Sequence, residues 1–319
     1  MRVLTGIQPS GKLHWGNYFG AMKSMFDLQE KGENFMFIAN FHAMTTVRDG
    51  ALLREATRDV ALDYLACGLD PEKSVIYRQS DVPEVQELAW YLSCLTPMGL
   101  LERCHSYKDK MAHGFEATHG LFAYPVLMAA DILIMNADLV PVGKDQKQHL
   151  EVTRDIAIKF NNAYGECFKI PDAYIPDTVA TIPGTDGQKM SKSYHNTIEI
   201  FEEASALKKK VMGIKTDSTP MEAPKEPEGN SIYELYKLFA SPEEVADMAA
   251  KFRAGGYGYG HAKKELLAAC HRLFDPFREK RDELAKDPDA LEDILRDGAR
   301  KAREAAAPVM EKVRRAVGL

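Results

Sequence analysis

The sequence lacks several features that mark whole classes of protein. Its five cysteines are scattered and form no C-x-x-C pair, which argues against a disulfide framework, a zinc site and a cysteine-held iron–sulfur cluster. No apolar run approaches the ~20 residues needed to cross a bilayer. The N-terminus shows no charged region followed by an apolar one. We therefore expect a cytoplasmic protein with no membrane partner.

An excess of basic residues is also missing. Lys and Arg number 41 against 47 Asp and Glu, which gives a formal net charge of −6. Because a nucleic-acid binder usually carries a basic excess, an RNA partner would need local basic patches on an acidic molecule. The remaining composition is that of an ordinary globular protein, with 45% hydrophobic and 28% charged residues. A chain of 319 residues can hold a large core and two domains.

Apolar runs that alternate with helical patterns predict an α/β fold. The runs interpreted as strands are Val3-Leu4, Phe35 to Ala39, Ser74 to Tyr77, Leu139 to Val142 and Val179 to Ile182. Strands separated by helices favour a Rossmann-like, doubly wound parallel sheet. The pattern after residue 196 is helical throughout.

These patterns predict two domains. The first is a nucleotide-binding catalytic domain over residues 1–195, with a helical insertion over about 46–121 and a lysine loop at 189–193. The second is an all-helical domain over residues 196–319, whose last helix could pack back on the first domain. Pro308 should kink that helix or begin another one, because proline lacks the backbone N–H that a helix uses.

Two segments carry the chemistry. The first runs from Gly6 to Asn17, where a strand leads through a glycine-containing turn into a helix. Unpaired backbone N–H groups and the helix dipole make such a turn an anion site, which predicts a phosphate-bearing ligand. The second is Lys189-Met190-Ser191-Lys192-Ser193, whose lysines and hydroxyls suit a polyphosphate. Each segment alone has a plainer interpretation, as a turn that closes a βα unit or as a solvated lysine loop.

Together and in this order, the segments resemble the HIGH and KMSKS signatures of class I aminoacyl-tRNA synthetases. His14-Trp15-Gly16-Asn17 stands for HIGH, with Asn17 in place of the second histidine, and the KMSKS match is complete. The string Ala129 to Leu133, followed by Gly143-x-Asp145-Gln146-x-x-x-His149, resembles the bacterial tryptophanyl-tRNA synthetases rather than their relatives for tyrosine. This resemblance covers nearly the whole chain.

The resemblance implies ATP-dependent activation of L-tryptophan to tryptophanyl-adenylate, with release of pyrophosphate. Transfer to the 3′-terminal adenosine of tRNA(Trp) follows, and the helical C-terminal region would bind the anticodon. It also implies Mg²⁺ that travels with ATP and takes no ligand from the protein, and a homodimer with its interface near Pro83 to Arg103. Three alternatives stay open: a tyrosine-specific relative, an adenylyltransferase of cofactor synthesis, and a non-catalytic paralogue that binds RNA or a small ligand.

The resemblance further assigns residues to roles. The expected catalytic residues are Lys110, Lys189, Ser191 and Lys192. The expected ATP-binding residues are Gln8, Pro9, Ser10, Gly16, Asn17, Gly143, Lys144, Asp145, Ile182, Lys189, Met190, Ser191, Lys192 and Ser193. The expected tryptophan-binding residues are Asp131, Met128, His42, Val140 and Val142. Plainer alternatives are a solvated lysine for Lys110, a dipole-favoured helix acid for Asp145 and a structural histidine for His42.

Asp131 is the residue on which amino-acid specificity depends in this interpretation. It interrupts the apolar helical segment from Val126 to Met135, and carboxylates are rarely buried without a partner. It therefore either faces solvent or accepts a hydrogen bond from a substrate, and an indole N–H is such a donor. Three departures from the family leave the pocket's affinity open: Leu4 replaces an aromatic residue, Trp15 is large for its position in HIGH, and Lys144 replaces an acid.

Overall fold

The computed structural model describes residues 1–104, 114, 116–141, 143, 147–174 and 182–319. Its centre is a five-stranded parallel sheet with the strand order β3-β2-β1-β4-β5. The strands are β1 (Arg2–Ile7), β2 (Glu33–Ile38), β3 (Ser74–Arg78), β4 (Leu139–Pro141) and β5 (Asp172–Tyr174). This order, with helices between the strands, confirms the Rossmann-like parallel fold.

Helices make up most of the rest of the described chain. They are α1 (Trp15–Asn17), α2 (Lys23–Leu28), α3 (Asn40–Ala43), α4 (Gly50–Ala66), α5 (Glu84–Ser93), α6 (Met98–Glu102), α7 (His119–Ile134), α8 (Lys147–Tyr164), α9 (Ala204–Met212), α10 (Ser231–Phe239), α11 (Pro242–Ala254), α12 (Tyr259–Ala285) and α13 (Pro288–Val317). A π-helical turn, Tyr18–Met22, joins α1 to α2, and short 3₁₀ turns cover Gln79–Asp81 and Lys192–Tyr194. None of the helices in the described ranges is long and apolar enough to cross a membrane.

The chain folds into two compact units. Unit 1 comprises residues 1–11, 25–177 and 284–319, and unit 2 comprises residues 12–24 and 178–283. These bounds differ from the expected boundary at 195/196, because the HIGH-like segment and the lysine loop belong to the mainly helical unit 2. The last helix, α13, belongs to unit 1 with the sheet. The functional division into catalytic and anticodon-binding parts stays a prediction.

The register of the central strands brings their carboxyl ends to one edge. β1 pairs with β2 from Arg2↔Glu33 to Ile7↔Ile38, and β2 pairs with β3 up to Ile38↔Arg78. Five consecutive residues of β2 are buried, as expected for a strand covered on both faces. The residues that follow β1, β2 and β3 therefore lie side by side, at the edge where open α/β sheets bind ligands.

Two strand expectations need correction. β3 lies within the range 46–121 that we interpreted as a helical insertion, and its pairing with β2 makes it part of the sheet. An insertion can therefore begin only after β3. β5 was not expected, because Asp172-Ala173-Tyr174 has no apolar run and follows a proline, yet it pairs with β4. The expected strand Val179 to Ile182 lies outside the described residues except for Ile182.

The helix α7 contains a proline, Pro125, but begins well before it. It starts at His119, where the Thr118 hydroxyl accepts a hydrogen bond from the backbone N–H of Leu121 at 3.3 Å. Pro125 therefore lies inside the helix, where it removes one backbone hydrogen bond, and it is itself buried. The remaining backbone bonds keep Asp131 on a regular helix.

The helix α13 is continuous through Pro308, so the expectation that another helix begins there is wrong, while a kink at Pro308 stays a prediction. It lies on β3, and an added Cβ at Gly298 would stand 1.8 Å from the carbonyl oxygen of Ile76. Two bidentate ion pairs fasten the helix, one from Arg78 to Glu292 and one from Arg314 to Glu87. The contacts that the helix makes before and after Pro308 stabilise it by more than the proline destabilises it.

Gly298→Ala should destabilise the protein by about 2–4 kcal/mol, because the new methyl group meets backbone that has little freedom to move. Urea unfolding followed by circular dichroism measures the change. Gly260→Ala is the matched control, since Gly260 also lies in a helix but has no described atom within 4 Å of the added Cβ. Equal stability of Gly298→Ala and Gly260→Ala would contradict the close approach.

Candidate active site

A buried hydrogen-bonded cluster lies at the carboxyl edge of the sheet in unit 1. Asp131 on α7 is only 3% exposed, which excludes the interpretation that it faces solvent. Its Oδ2 lies 2.9 Å from Nε2 of His42, which follows β2. The Nε2 atom of Gln79, which follows β3, lies 2.8 Å from Oδ1 and 2.9 Å from Oδ2 of Asp131. The carboxylate is therefore held by residues from the ends of two adjacent strands.

Burial decides the electrostatics of this cluster. Desolvation raises the pKa of Asp131 above its ordinary value, and the hydrogen bonds from His42 and Gln79 oppose that rise. The pKa of Tyr77 is also raised, first by burial and then by the nearby Asp131 charge. A carboxylate in this setting needs donors, because an unpaired buried charge costs several kcal/mol.

Other expected tryptophan-site residues are buried to different extents. Val140 is 5% exposed on β4, next to β1, and Met128 is half-buried on α7 one turn before Asp131. Leu4, at the position where some relatives carry an aromatic residue, is fully buried in the same core. The Nε2 atom of Gln8 donates to the carbonyl of His42 at 3.4 Å. The structure thus brings Gln8, His42 and Asp131 together.

Tyr124 and Gln79 were missed by the sequence reasoning. The Tyr124 hydroxyl lies 2.6 Å from Nε2 of His149, and its ring stands edge-on to that of His42 at 6.1 Å. Gln79 follows the predicted strand Ser74 to Tyr77 by two residues, so its place at the carboxyl edge could have been predicted. Its contact with Asp131 could not, because residues 79 and 131 meet only through the fold.

The two signature segments meet within unit 2. The backbone N–H of Trp15 donates to the carbonyl of Ile198 at 2.9 Å, and Ile200 donates back to Leu13 at 3.0 Å. This antiparallel pairing places the HIGH-like turn beside the chain that leaves the lysine loop. The N–H of Gly16 lies 3.3 Å from the sulfur of Met190, inside the KMSKS segment. Two motifs that are 174 residues apart in the sequence are therefore in direct contact.

The shape of the HIGH-like turn depends on Gly16. A Cβ at this position would stand 2.9 Å from Nδ1 of His14 and 3.5 Å from the Cβ of Met190. Asn17 accepts a hydrogen bond from the backbone N–H of His14 at 3.0 Å, which closes the turn. The large Trp15 is fully buried, with its ring 4.8 Å from that of Phe239. This departure from the family therefore fills the core of unit 2.

Asn196 holds the lysine loop, and no sequence pattern pointed to it. Its Oδ1 accepts from the N–H of Ser191 at 2.8 Å, while its Nδ2 donates to Oδ1 of Asp186 at 2.7 Å and to the carbonyl of Lys189 at 3.0 Å. The side chain is 2% exposed. The loop base is closed by Met190 N–H, which donates to the carbonyl of Ile182 at 2.8 Å.

The polar groups of the loop suit an anion. The hydroxyls of Ser191 and Ser193 lie 2.8 Å apart. Lys192 is exposed over its residue as a whole, but desolvation of its ammonium lowers its pKa, and the charge of the nearby Glu199 opposes that change. Burial and the charge of Lys192 lower the pKa of His14 to about 4. At pH 7 an exposed lysine therefore lies near a buried, neutral histidine.

Some predicted residues cannot be placed. Lys110, Val142, Lys144 and Asp145 lie outside the described residues, and Gly143 is described as a half-buried residue after β4. Gln8, Pro9 and Ser10 follow β1 in unit 1. Gly16, Asn17, Ile182 and residues 189–193 are in unit 2. That one nucleotide contacts both sets stays a prediction.

Comparison with known proteins identifies the family. The family model described as class I tRNA synthetases (W and Y) matches residues 1–275. The chain belongs to this family. It is 56% identical over 319 residues to the tryptophan–tRNA ligase of Rhodopirellula baltica, with 100% of both chains covered.

Solved structures agree with this assignment. Tryptophanyl-tRNA synthetase from Campylobacter jejuni, complexed with ADP and tryptophan, superposes with a TM-score of 0.96 at 53% identity and covers 100% of both chains. The enzyme from Mycoplasma pneumoniae gives a TM-score of 0.86 at 30% identity, over 100% of this chain and 97% of that one.

The neutral state of His14 makes stability depend on pH. Because its folded pKa of about 4 lies below the ordinary 6.5, the unfolded chain takes up the proton first as pH falls. The stability that neutral His14 contributes is thus present above pH 6.5 and is lost toward pH 4, by at most ~1.4 kcal/mol per pH unit. His14→Gln should flatten this slope in urea unfolding between pH 7 and pH 4.5.

His195→Gln is the matched control, because His195 is an exposed histidine of the same loop region. That variant should keep the slope of the wild type. An unchanged slope in His14→Gln would show that His14 is not held neutral by the fold.

Proposed function

We propose that this protein activates L-tryptophan with ATP, forming tryptophanyl-adenylate and pyrophosphate, and then charges the 3′-terminal adenosine of tRNA(Trp). The observation that carries the proposal is the pairing in unit 2 that sets Gly16 against Met190. It joins the HIGH-like turn to the segment that carries Lys189 and Lys192, whose charges suit the polyphosphate of ATP. The names of full-length relatives at 53–56% identity support tryptophan as the amino acid.

The chemical step needs charge stabilisation more than a base. The tryptophan carboxylate attacks the α-phosphorus of ATP, an oxygen–phosphorus bond forms, and the bond to the β-phosphate oxygen breaks. Negative charge then grows on pyrophosphate, where Lys189 and Lys192 would stabilise it. The attacking group is already ionised at pH 7, so a general base has no proton to remove. Positioning of the two reactants supplies much of the remaining acceleration.

ATP contacts are proposed in each unit. In unit 1 they are Gln8, Pro9, Ser10 and Gly143, and in unit 2 they are Gly16, Asn17, Ile182, Met190, Ser191 and Ser193. The described residues hold no group of three or more His, Cys, Asp or Glu that could ligate a metal. Mg²⁺ would therefore arrive as the ATP complex, with phosphate and water oxygens as its ligands, and would offset phosphate charge.

Tryptophan would bind at the carboxyl edge of unit 1. Asp131 accepts the indole N–H in this proposal, and Met128, His42 and Val140 line the ring. A carboxylate can also accept a hydrogen bond from a phenol, so Asp131 alone leaves a tyrosine-specific relative as the second candidate. A non-catalytic paralogue is disfavoured by the retained Lys189, Ser191 and Lys192.

Partners are proposed from the remaining surfaces. The helices of unit 2 would bind tRNA through local basic groups such as Lys208 and Lys209, which are exposed on α9. A homodimer would form through Pro83 to Arg103, where Trp90 leaves 68% of its surface exposed and Met98 leaves 63%. Large apolar side chains this exposed in one short stretch are typical of an interface.

The activation step predicts pyrophosphate exchange into ATP that depends on tryptophan. The purified chain with Mg²⁺, ATP and labelled pyrophosphate should give exchange with tryptophan and at least ~100-fold less with tyrosine or phenylalanine, because neither carries an indole N–H. Exchange that is equal or faster with tyrosine would overturn the specificity. No exchange with any of the three would support a non-catalytic paralogue.

Lys192→Ala should lower kcat of exchange by ~100-fold or more and change the Kd of ATP by less than about threefold. The reason is that the lysine interacts most strongly with charge that develops in the transition state. Lys208→Ala is the matched control, since this exposed lysine lies outside the loop and the activation step needs no tRNA. A rise in KM for ATP with unchanged kcat would contradict the role of Lys192.

A further inference from the structure

Gln79 connects three elements of unit 1 through one buried amide. It is 1% exposed and lies directly after β3. Its Oε1 accepts from the backbone N–H of Phe41 at 3.0 Å and of His42 at 3.4 Å. Its Nε2 contacts both oxygens of Asp131, at 2.8 and 2.9 Å. Every polar atom of the side chain therefore has a partner.

These partners fix which end of the amide faces Asp131. A glutamine amide can in principle be turned end for end, which would exchange oxygen and nitrogen. Here the backbone N–H groups of Phe41 and His42 can only donate, so the oxygen must face them. The NH₂ group must then face Asp131. The orientation is set by main chain, not by the carboxylate itself.

A fixed NH₂ group dictates what Asp131 can do. An NH₂ group donates and cannot accept. If the Asp131 oxygen that faces it were protonated, two donors would point at each other, which is unfavourable. His42 adds a further donor if its Nε2 carries the hydrogen, as a bond to a carboxylate requires. Among the described residues, Oδ2 then accepts two hydrogen bonds and Oδ1 accepts one. Because each carboxylate oxygen can accept about two, Oδ1 keeps one acceptor position.

We infer that Gln79 is a specificity-positioning residue that keeps Asp131 an ionised acceptor and so makes the site select a ring that carries an N–H. The inference rests on the proposed function, because it takes Asp131 as the acceptor of the indole N–H. It adds a residue that touches no substrate in the proposal and acts through Asp131 alone.

The test compares tryptophan with 3-(benzothiophen-3-yl)alanine, in which sulfur replaces the indole N–H at nearly the same shape. KM and kcat are measured for both substrates by pyrophosphate exchange. The wild type should prefer tryptophan by ~100-fold or more, since a site built to bind an N–H rejects an analogue without it. Gln79→Glu and Gln79→Met should each lower that preference at least tenfold, through a higher KM for tryptophan.

The two variants separate the donor from the fold. The Gln79→Glu variant would keep an acceptor for the N–H groups of Phe41 and His42 and replace the NH₂ donor by a carboxyl oxygen beside Asp131. The Gln79→Met variant would lose both and fill a similar volume. Their KM for ATP and their kcat with the sulfur analogue should stay within about threefold of the wild type. Gln29→Met is the matched control, because the Gln29 amide of unit 1 also bonds to main chain, at Gly68 and Asp70, and makes no contact with Asp131 among the described residues.

The outcomes distinguish this inference from the proposed function. An unchanged preference in both Gln79 variants, beside a lost preference in Asp131→Asn, overturns the inference and leaves the function standing. An equal loss of exchange with both substrates also overturns it, because that pattern is a general defect of folding. A wild type that gives no exchange with tryptophan overturns the proposed function itself. An Asp131→Asn variant with full preference overturns the role of Asp131, and with it this inference, and leaves tryptophan activation standing.

Discussion

The burial of one carboxylate constrains much of unit 1. Asp131 lies on an otherwise apolar helix, and its charge is tolerable only because donors surround it. Those donors come from the ends of β2 and β3, whose register therefore has to be right. Parallel pairing of Ile38 with Arg78 sets the residues around 40 beside those around 80. A slip by one residue would turn the donors away and leave the charge unpaired.

A second pair of hydrogen bonds shows how closely the two strand ends are matched. Asn40 donates to the Ser80 hydroxyl at 2.8 Å and accepts from the Ser80 N–H at 3.0 Å. This reciprocal pair stands next to the contact between Gln79 and the N–H groups that follow β2. The ends of β2 and β3 are thus fixed to each other by side chains, two of which also bond to the neighbouring main chain. Rigid main chain is well suited to discriminate between ligands of similar shape.

Unit 2 also relies on main chain to arrange its polar groups. Its glycine turn is joined to the chain that follows its lysine loop by backbone pairing through residues 198–200, so this arrangement does not rely on long side chains. The buried side chain of Asn196 hydrogen-bonds to the main chain of the loop at Ser191 and Lys189. Gly16 has no side chain and so leaves room for the His14 ring. A neutral His14 beside Lys192 avoids a second positive charge that would repel the lysine. The positive charge of Lys192 therefore has no charged histidine at position 14 beside it at pH 7.

The sequence predicted what depends on local pattern. Continuous apolar runs indicated β1 to β4, and the motifs indicated the lysine loop and Asp131. β5 was missed because three residues with a carboxylate among them carry no strand signal, and only pairing with β4 makes them one. Gln79 and Asn196 were missed because their roles are hydrogen bonds that exist only after folding. The continuity of α13 through Pro308 was missed for a related reason, since tertiary packing outweighs a local penalty.

The place of α13 has a consequence for how the chain acquires its structure during synthesis. Residues 284–319 belong to the same compact unit as the first eleven residues, and Gly298 fits directly on the backbone of β3. While a ribosome is still making residues before 288, the surface of β3 has no cover and a nascent chain exposes it. Contacts between residues so distant in sequence form late in folding. Until they form, the uncovered apolar surface can aggregate. Substitutions that weaken the packing of α13 should therefore increase the need for chaperones in the cell more than substitutions in the HIGH-like and KMSKS segments do.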